Sequence, residues 1–88
     1  MQTAVTATTG TETRAALAVL PERLRTSIEP NADRLDLDLI ARAYEFSRKA
    51  HAGQKRASGE EYVDHCVEVA KILSDLHLDT VSIAAGLI

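Results

Sequence analysis

The feature that most constrains this chain is a stripe of apolar and small residues at helical spacing that ends at a glycine. Leu39, Ile40, Ala43, Tyr44, Ser47, Ala50 and His51 recur at three- and four-residue intervals, while Arg42, Glu45, Arg48 and Lys49 lie toward the other side. Asp36 or Asp38 can cap its start, and Gly53 stops it. A second stripe follows, with Asp64 as its candidate cap. Cys66, Val67, Val69, Ala70, Ile72, Leu73 and Leu76 form an apolar face that needs cover on more than one side, and the helix ends near His77. Asp79 then caps a last helix from Thr80, where only Ser82 and Gly86 interrupt Val81, Ile83, Ala84, Ala85, Leu87 and Ile88. Aromatics are only 3% of the 88 residues, so the core must be built from Leu, Ile, Val and Ala, a palette that favours helices. The expected fold class is all-α.

The N-terminal third is less regular. Leu17, Leu20, Leu24 and Ile28 make one helical stripe, but Pro21 removes a backbone donor within it. The segment is therefore either kinked or a short helix beginning near Pro21. Glu29-Pro30-Asn31 breaks it, because the residue before a proline is pushed out of helical geometry. Residues 1–13 hold six threonines and little apolar material beyond Val5, too little to offset ordering entropy. The expected organisation is a disordered tail over 1–13, a helix and linker over 14–35, and a helical domain portion over 36–88.

Charge and cysteine content exclude several classes. A net charge of −3 gives no basic field for a nucleic-acid backbone, so no DNA or RNA partner is expected. The single cysteine, Cys66, rules out an internal disulfide and fits a reducing compartment. The N-terminus lacks the basic start and apolar run of a signal peptide, and no 18 apolar residues run together. The chain is expected to be cytoplasmic, with no membrane span. The last helix has no C-cap and no basic final turn, which predicts a sequence cut inside a helix. Self-association through the apolar surface of residues 80–88 follows from the same observation.

The residues able to do chemistry are few. No glycine-rich phosphate loop, nucleophile elbow, zinc cysteine pair or HExxH pattern is present. The stretch Gly53 to Glu61, GQKRASGEE, reads as a structured loop. In it Arg56 can stack on a base or grip a phosphate and Lys55 can add a point charge, or the two form a solvated surface pair. His65, in the first turn of its helix, is either a metal ligand or a hydrogen-bonded structural residue. His51 suits the negative end of its helix, and His77 lies in an exposed turn. The three histidines are 14 and 12 residues apart, a spacing that neither demands nor excludes convergence. Cys66 has no third group to orient His65 as its base and reads as core.

The order of these features is more specific than any one of them. Residues 41–88, ARAYEFSRKAHAGQKRASGEEYVDHCVEVAKILSDLHLDTVSIAAGLI, resemble the opening of the hydrolase domain in RelA/SpoT-type stringent-response enzymes of the HD-domain family. There a helix ending AHxGQxR leads into SGExY, then a histidine opening a helix with VAxIL, an LxLD turn and an alanine-rich helix. The resemblance implies a truncated helical HD-domain-like bundle of about three to four helices, and a role in removing the 3′-pyrophosphate of guanosine tetraphosphate (ppGpp). It implies that His65 is a manganese ligand, and that Arg56 and Ser58 line the guanine-nucleotide pocket. Guanosine tetraphosphate or pentaphosphate and Mn2+ are thus the partners expected of a complete domain. The family's His-Asp pair is absent from these 88 residues, so this polypeptide alone is expected neither to hold the metal nor to hydrolyse the nucleotide. Glu61 and Cys66 stand where the family usually has proline, which loosens the loop and brings an extra carboxylate near it. The alternatives are an HD phosphohydrolase for another nucleotide and a helical interaction module. A helix-turn-helix DNA binder has little support, since the helix after LHLD carries no basic residue.

Overall fold

Pro21 divides the N-terminal stripe in two. The computed structural model describes residues 14–88, so the tail expected over 1–13 lies outside the described residues. Residues 14–19 are helical (α1), and Pro21, with φ −59° and ψ 149°, is the N-cap of a second helix, Glu22–Ile28 (α2). Of the two arrangements the sequence allowed, this is the short helix beginning at the proline. The expected breaker at Glu29-Pro30-Asn31 continues instead as a 3-10 helix, Glu29–Arg34. Pro30 sits in its first positions, where a missing N–H costs nothing, and only Asn31 leaves helical geometry.

Three longer helices follow: Leu37–Ala50 (α3), Tyr62–Asp75 (α4) and Thr80–Leu87 (α5). With α1 and α2 they make five α-helices among the described residues, against the three to four expected. The extra count comes from the division at Pro21 and not from a different architecture. Asp36 caps α3 by accepting from the Leu39 backbone N–H at 3.1 Å, while Asp38 pairs with Arg42 at 3.2 Å. Gly53, at φ +78°, turns the chain away after His51.

The cap assigned to Asp64 is overturned. α4 begins two residues earlier, at Tyr62, behind an extended Glu61, and Asp64 is its third residue. Glu61 makes no side-chain cap bond because its carboxylate is turned to Lys55. Asp79 does precede α5, but its carboxylate accepts from the Ser82 hydroxyl at 2.6 Å and not from a backbone amide. That bond holds Asp79 below the ordinary carboxylate range. α4 ends in a left-handed residue, His77 at φ +61°, with Leu78 N–H donating to Leu73 C=O at 3.1 Å and His77 N–H to Ser74 C=O at 2.9 Å. This is a Schellman motif with histidine where glycine is favoured.

The core is one cluster running through all five helices. Leu24 and Ile28 of α2, Ile40 of α3, Val67 and Ala70 of α4, and Ile83 and Leu87 of α5 are essentially inaccessible. Leu20 and Leu35 join the same cluster, so the N-terminal stripe packs into the core that α3, α4 and α5 share. The main packings are α4 on α5, α3 on α5 and α2 on α4. α5 approaches α4 closely at Gly86, where an added Cβ would fall 2.8 Å from Leu73 Cδ1. Cys66 is buried, as its reading as core requires. Ile72, Leu76, Val81 and Ile88 keep more than half their surface exposed. Among the described residues no helix is long and apolar enough to cross a membrane.

Candidate functional site

Between α3 and α4 the chain forms a short antiparallel hairpin. Tyr62 N–H donates to Gln54 C=O at 2.9 Å and Arg56 N–H to Glu60 C=O at 2.8 Å, with Lys55 and Glu61 paired between them. At the tip Gly59 N–H donates to Arg56 C=O at 2.8 Å, and Gly59 sits at φ +94°, a conformation costly for any residue with a Cβ. Arg56 and Ser58 therefore stand at an exposed tip whose backbone is closed by its own hydrogen bonds. Every residue from Ala52 to Glu60 is exposed.

The hairpin carries its own counter-charges. Lys55 Nζ lies 2.8 Å from Glu61 Oε2, and Arg56 Nη1 lies 3.9 Å from Glu60 Oε1. The Glu61 hydrogen bond, and then its charge, raise the Lys55 ammonium above the ordinary lysine range. Two cations, Lys55 and Arg56, and two carboxylates, Glu60 and Glu61, leave the loop without net charge.

Tyr62 joins the hairpin to α4 and is the residue that sequence reasoning missed. Its ring is stacked on His51 with centroids 4.4 Å apart, and meets His65 edge-on at 6.2 Å. His51, the C-cap of α3, holds Gln54 Oε1 at 2.8 Å through Nδ1, and its Nε2 lies 3.5 Å from the Ile88 carbonyl. The end of α3 and the start of α4 thus meet at one tyrosine, and the residue after α5 touches His51 behind it. The i, i+3 spacing of Tyr62 and His65 on a helix was the available signal for half of this array. The His51 contact spans a loop and had no local signature.

His65 is half-buried, the fourth residue of α4. The helix carrying it is fixed by Arg23 of α2, which reaches Asp64 at 3.3 Å and Glu68 at 2.7 Å. His51 and His65 both meet Tyr62, one by stacking and one edge-on, whereas His77 is at the other end of α4. Among the described residues no three His, Cys, Asp or Glu side chains converge to hold a metal ion. A catalytic metal needs about three protein ligands and an open position, so His65 by itself does not fit that role.

Comparison with known proteins places these residues in context. The family described as HD domain matches residues 43–88. The chain is 47% identical over 68 residues to the GTP pyrophosphokinase of Myxococcus xanthus, which covers 77% of this chain and 9% of that protein. It is 48% identical over 50 residues to a GTP pyrophosphokinase of Brucella ovis, covering 57% of this chain and 7% of that one. It is 43% identical over 53 residues to the bifunctional (p)ppGpp synthase/hydrolase RelA of Mycobacterium tuberculosis, covering 60% and 7%. The chain thus spans less than a tenth of the length of these relatives. No solved structure matches it at a significant level.

Proposed function

Because this chain belongs to the HD-domain family, and within it to the RelA/SpoT type, we propose that residues 36–88 are the N-terminal portion of a cytoplasmic guanosine-3′,5′-bis(diphosphate) 3′-pyrophosphohydrolase domain. In this reading Arg56 and Ser58 contact the guanine nucleotide and His65 is one ligand of a manganese ion. The observation that carries it is the join at Tyr62, which seats the hairpin bearing Arg56 and Ser58 directly on the first turn of α4, where His65 stands. The Arg56 guanidinium offers a planar, permanently charged donor fork suited to stacking or to a phosphate. A bound manganese ion would polarise a phosphoryl oxygen and lower the pKa of the attacking water. These 88 residues contribute a single ligand to such a site, so the polypeptide is expected to be inactive by itself. Purified chain incubated with ppGpp and Mn2+ should release no pyrophosphate above the background of a His65→Ala control. Manganese-dependent release by the 88-residue protein would overturn the division of the site.

A second reading, a helical interaction module, is favoured by the exposed Val81 and Ile88 of the last helix and its extension. Light scattering separates the two. A defined dimer lost on Val81→Lys supports the module, and a monomer with intact helicity removes it.

A further inference from the structure

The two cations of the hairpin have different surroundings. Side chains alternate across a strand, so the pairing of 54 with 62, 55 with 61 and 56 with 60 puts Arg56 on the same face as Tyr62, and Lys55 with Glu61 on the opposite face. Lys55 and Glu61 are opposed without a backbone hydrogen bond between them, the kind of cross-strand site where side chains come closest. Their ion pair, at 2.8 Å, spans the hairpin on the side away from Tyr62. Glu61 has φ −61° and ψ 135°, which is the conformation a proline would impose, and its N–H donates to no backbone group.

From this we infer that the Lys55–Glu61 ion pair is a positioning strap, with Glu61 holding the hairpin in the register that presents Arg56, and with Lys55 taking no part in ligand contact. The inference rests on the reading of Arg56 as a nucleotide-binding residue. It also reverses the expectation that Glu61 is an intrusive charge, since its carboxylate is neutralised and turned from the face that carries Arg56. The strap does by charge what a proline at 61 does by covalent restriction.

Amide hydrogen exchange and an anion titration on the 88-residue chain test this. In Glu61→Gln the amides of Arg56 and Tyr62, which close the hairpin, should exchange about two- to fivefold faster, the range open to an exposed ion pair. The Ala70 amide in α4 should not change. High salt should act on the wild type as the substitution does. Inorganic pyrophosphate, followed by its shift of the Arg56 amide, should bind more weakly to Glu61→Gln. Glu61→Pro should restore both the protection and the binding, a rescue that loss of charge alone cannot explain. Unchanged exchange in Glu61→Gln, or failure of Glu61→Pro to rescue, would overturn the strap. Tighter pyrophosphate binding by Glu61→Gln would also overturn it, since Glu61 would then be a competing charge. A separate titration with GDP reads the underlying assignment. If exchange behaves as stated while neither pyrophosphate nor GDP moves Arg56 or Ser58, the nucleotide reading fails and the strap remains only a feature of the hairpin.

Discussion

The α2–α4 interface and the hairpin between α3 and α4 are held by different physics. At the interface Leu24, Ile28, Val67 and Ala70 have at most 1% of their surface exposed, and Arg23, Ser27, Ser74 and Asp75 fasten its margins. In the hairpin nothing from Ala52 to Glu60 is buried, and shape comes from three backbone hydrogen bonds, one left-handed glycine and cross-strand ion pairs. Burial sets the stability of the first, and local geometry sets the presentation of the second. The two should therefore respond to different perturbations, and residues that bind ligand should be replaceable without cost to the fold.

The largest effect should follow from breaking the interface. Leu24→Ala removes a fully buried side chain that touches the shared core, and should cost about 2–5 kcal/mol in urea unfolding. For a chain this short that is a large part of the total stability. If Leu24→Ala costs less than about 0.5 kcal/mol, the N-terminal stripe is an appendage and not part of the core. A smaller gain is expected at the far end of α4. His77→Gly relieves a side chain held at φ +61° and should add about 0.5–1 kcal/mol, read as a rise in Tm.

Acid offers a gentler way to sharpen the contrast. The Ser27 hydroxyl, and then the Lys71 ammonium, hold the Asp75 carboxyl below its ordinary range. A depressed carboxylate pKa contributes stability that is fully present above the unfolded value and is lost as pH falls below that value through the folded one. Tm should therefore decline as pH drops below about 4, and Asp75→Asn should flatten that decline while lowering Tm at neutral pH. An acid limb of equal slope in both proteins would remove Asp75 from the account. The Lys55 ammonium of the hairpin is displaced the other way, raised by its hydrogen bond to Glu61, so on the alkaline side the lysine keeps its charge until pH climbs through that raised value.

These contrasts also explain what the sequence made legible. α3 was visible because period, cap and glycine stop all lie within the segment itself, and of the two candidate caps, Asp36 and Asp38, Asp36 takes the role. α5 was visible from its apolar run and the Asp79 that precedes it, without any stop signal. The start of α4 was misplaced because Glu61 has a cap's backbone conformation without a cap's side-chain bond, leaving Asp64 as the only visible signal. The 3-10 helix over Glu29–Arg34 was hidden because a proline in a first turn and a proline that ends a helix look alike in one dimension. In the site, the loop and its motif were legible, but its organisation was not. Arg23 meets Asp64 across 41 residues and Ser27 meets Ser74 across 47, separations that leave no local pattern. The stack of His51 on Tyr62 depends on how the hairpin folds back, which spacing alone does not specify.

The central claim is that ligand recognition belongs to the hairpin tip and the first turn of α4, and stability to the helices behind them. A titration of isotopically labelled chain with ppGpp, followed by amide NMR, tests it most directly. Shifts should centre on Arg56, Ser58 and His65 and be abolished by Arg56→Ala at unchanged Tm, with Leu24, Ile40 and Ile83 unmoved. Shifts centred instead on the groove between α2 and α4, lined by Ser27, Lys71 and His77, or no response at the hairpin at all, would contradict it.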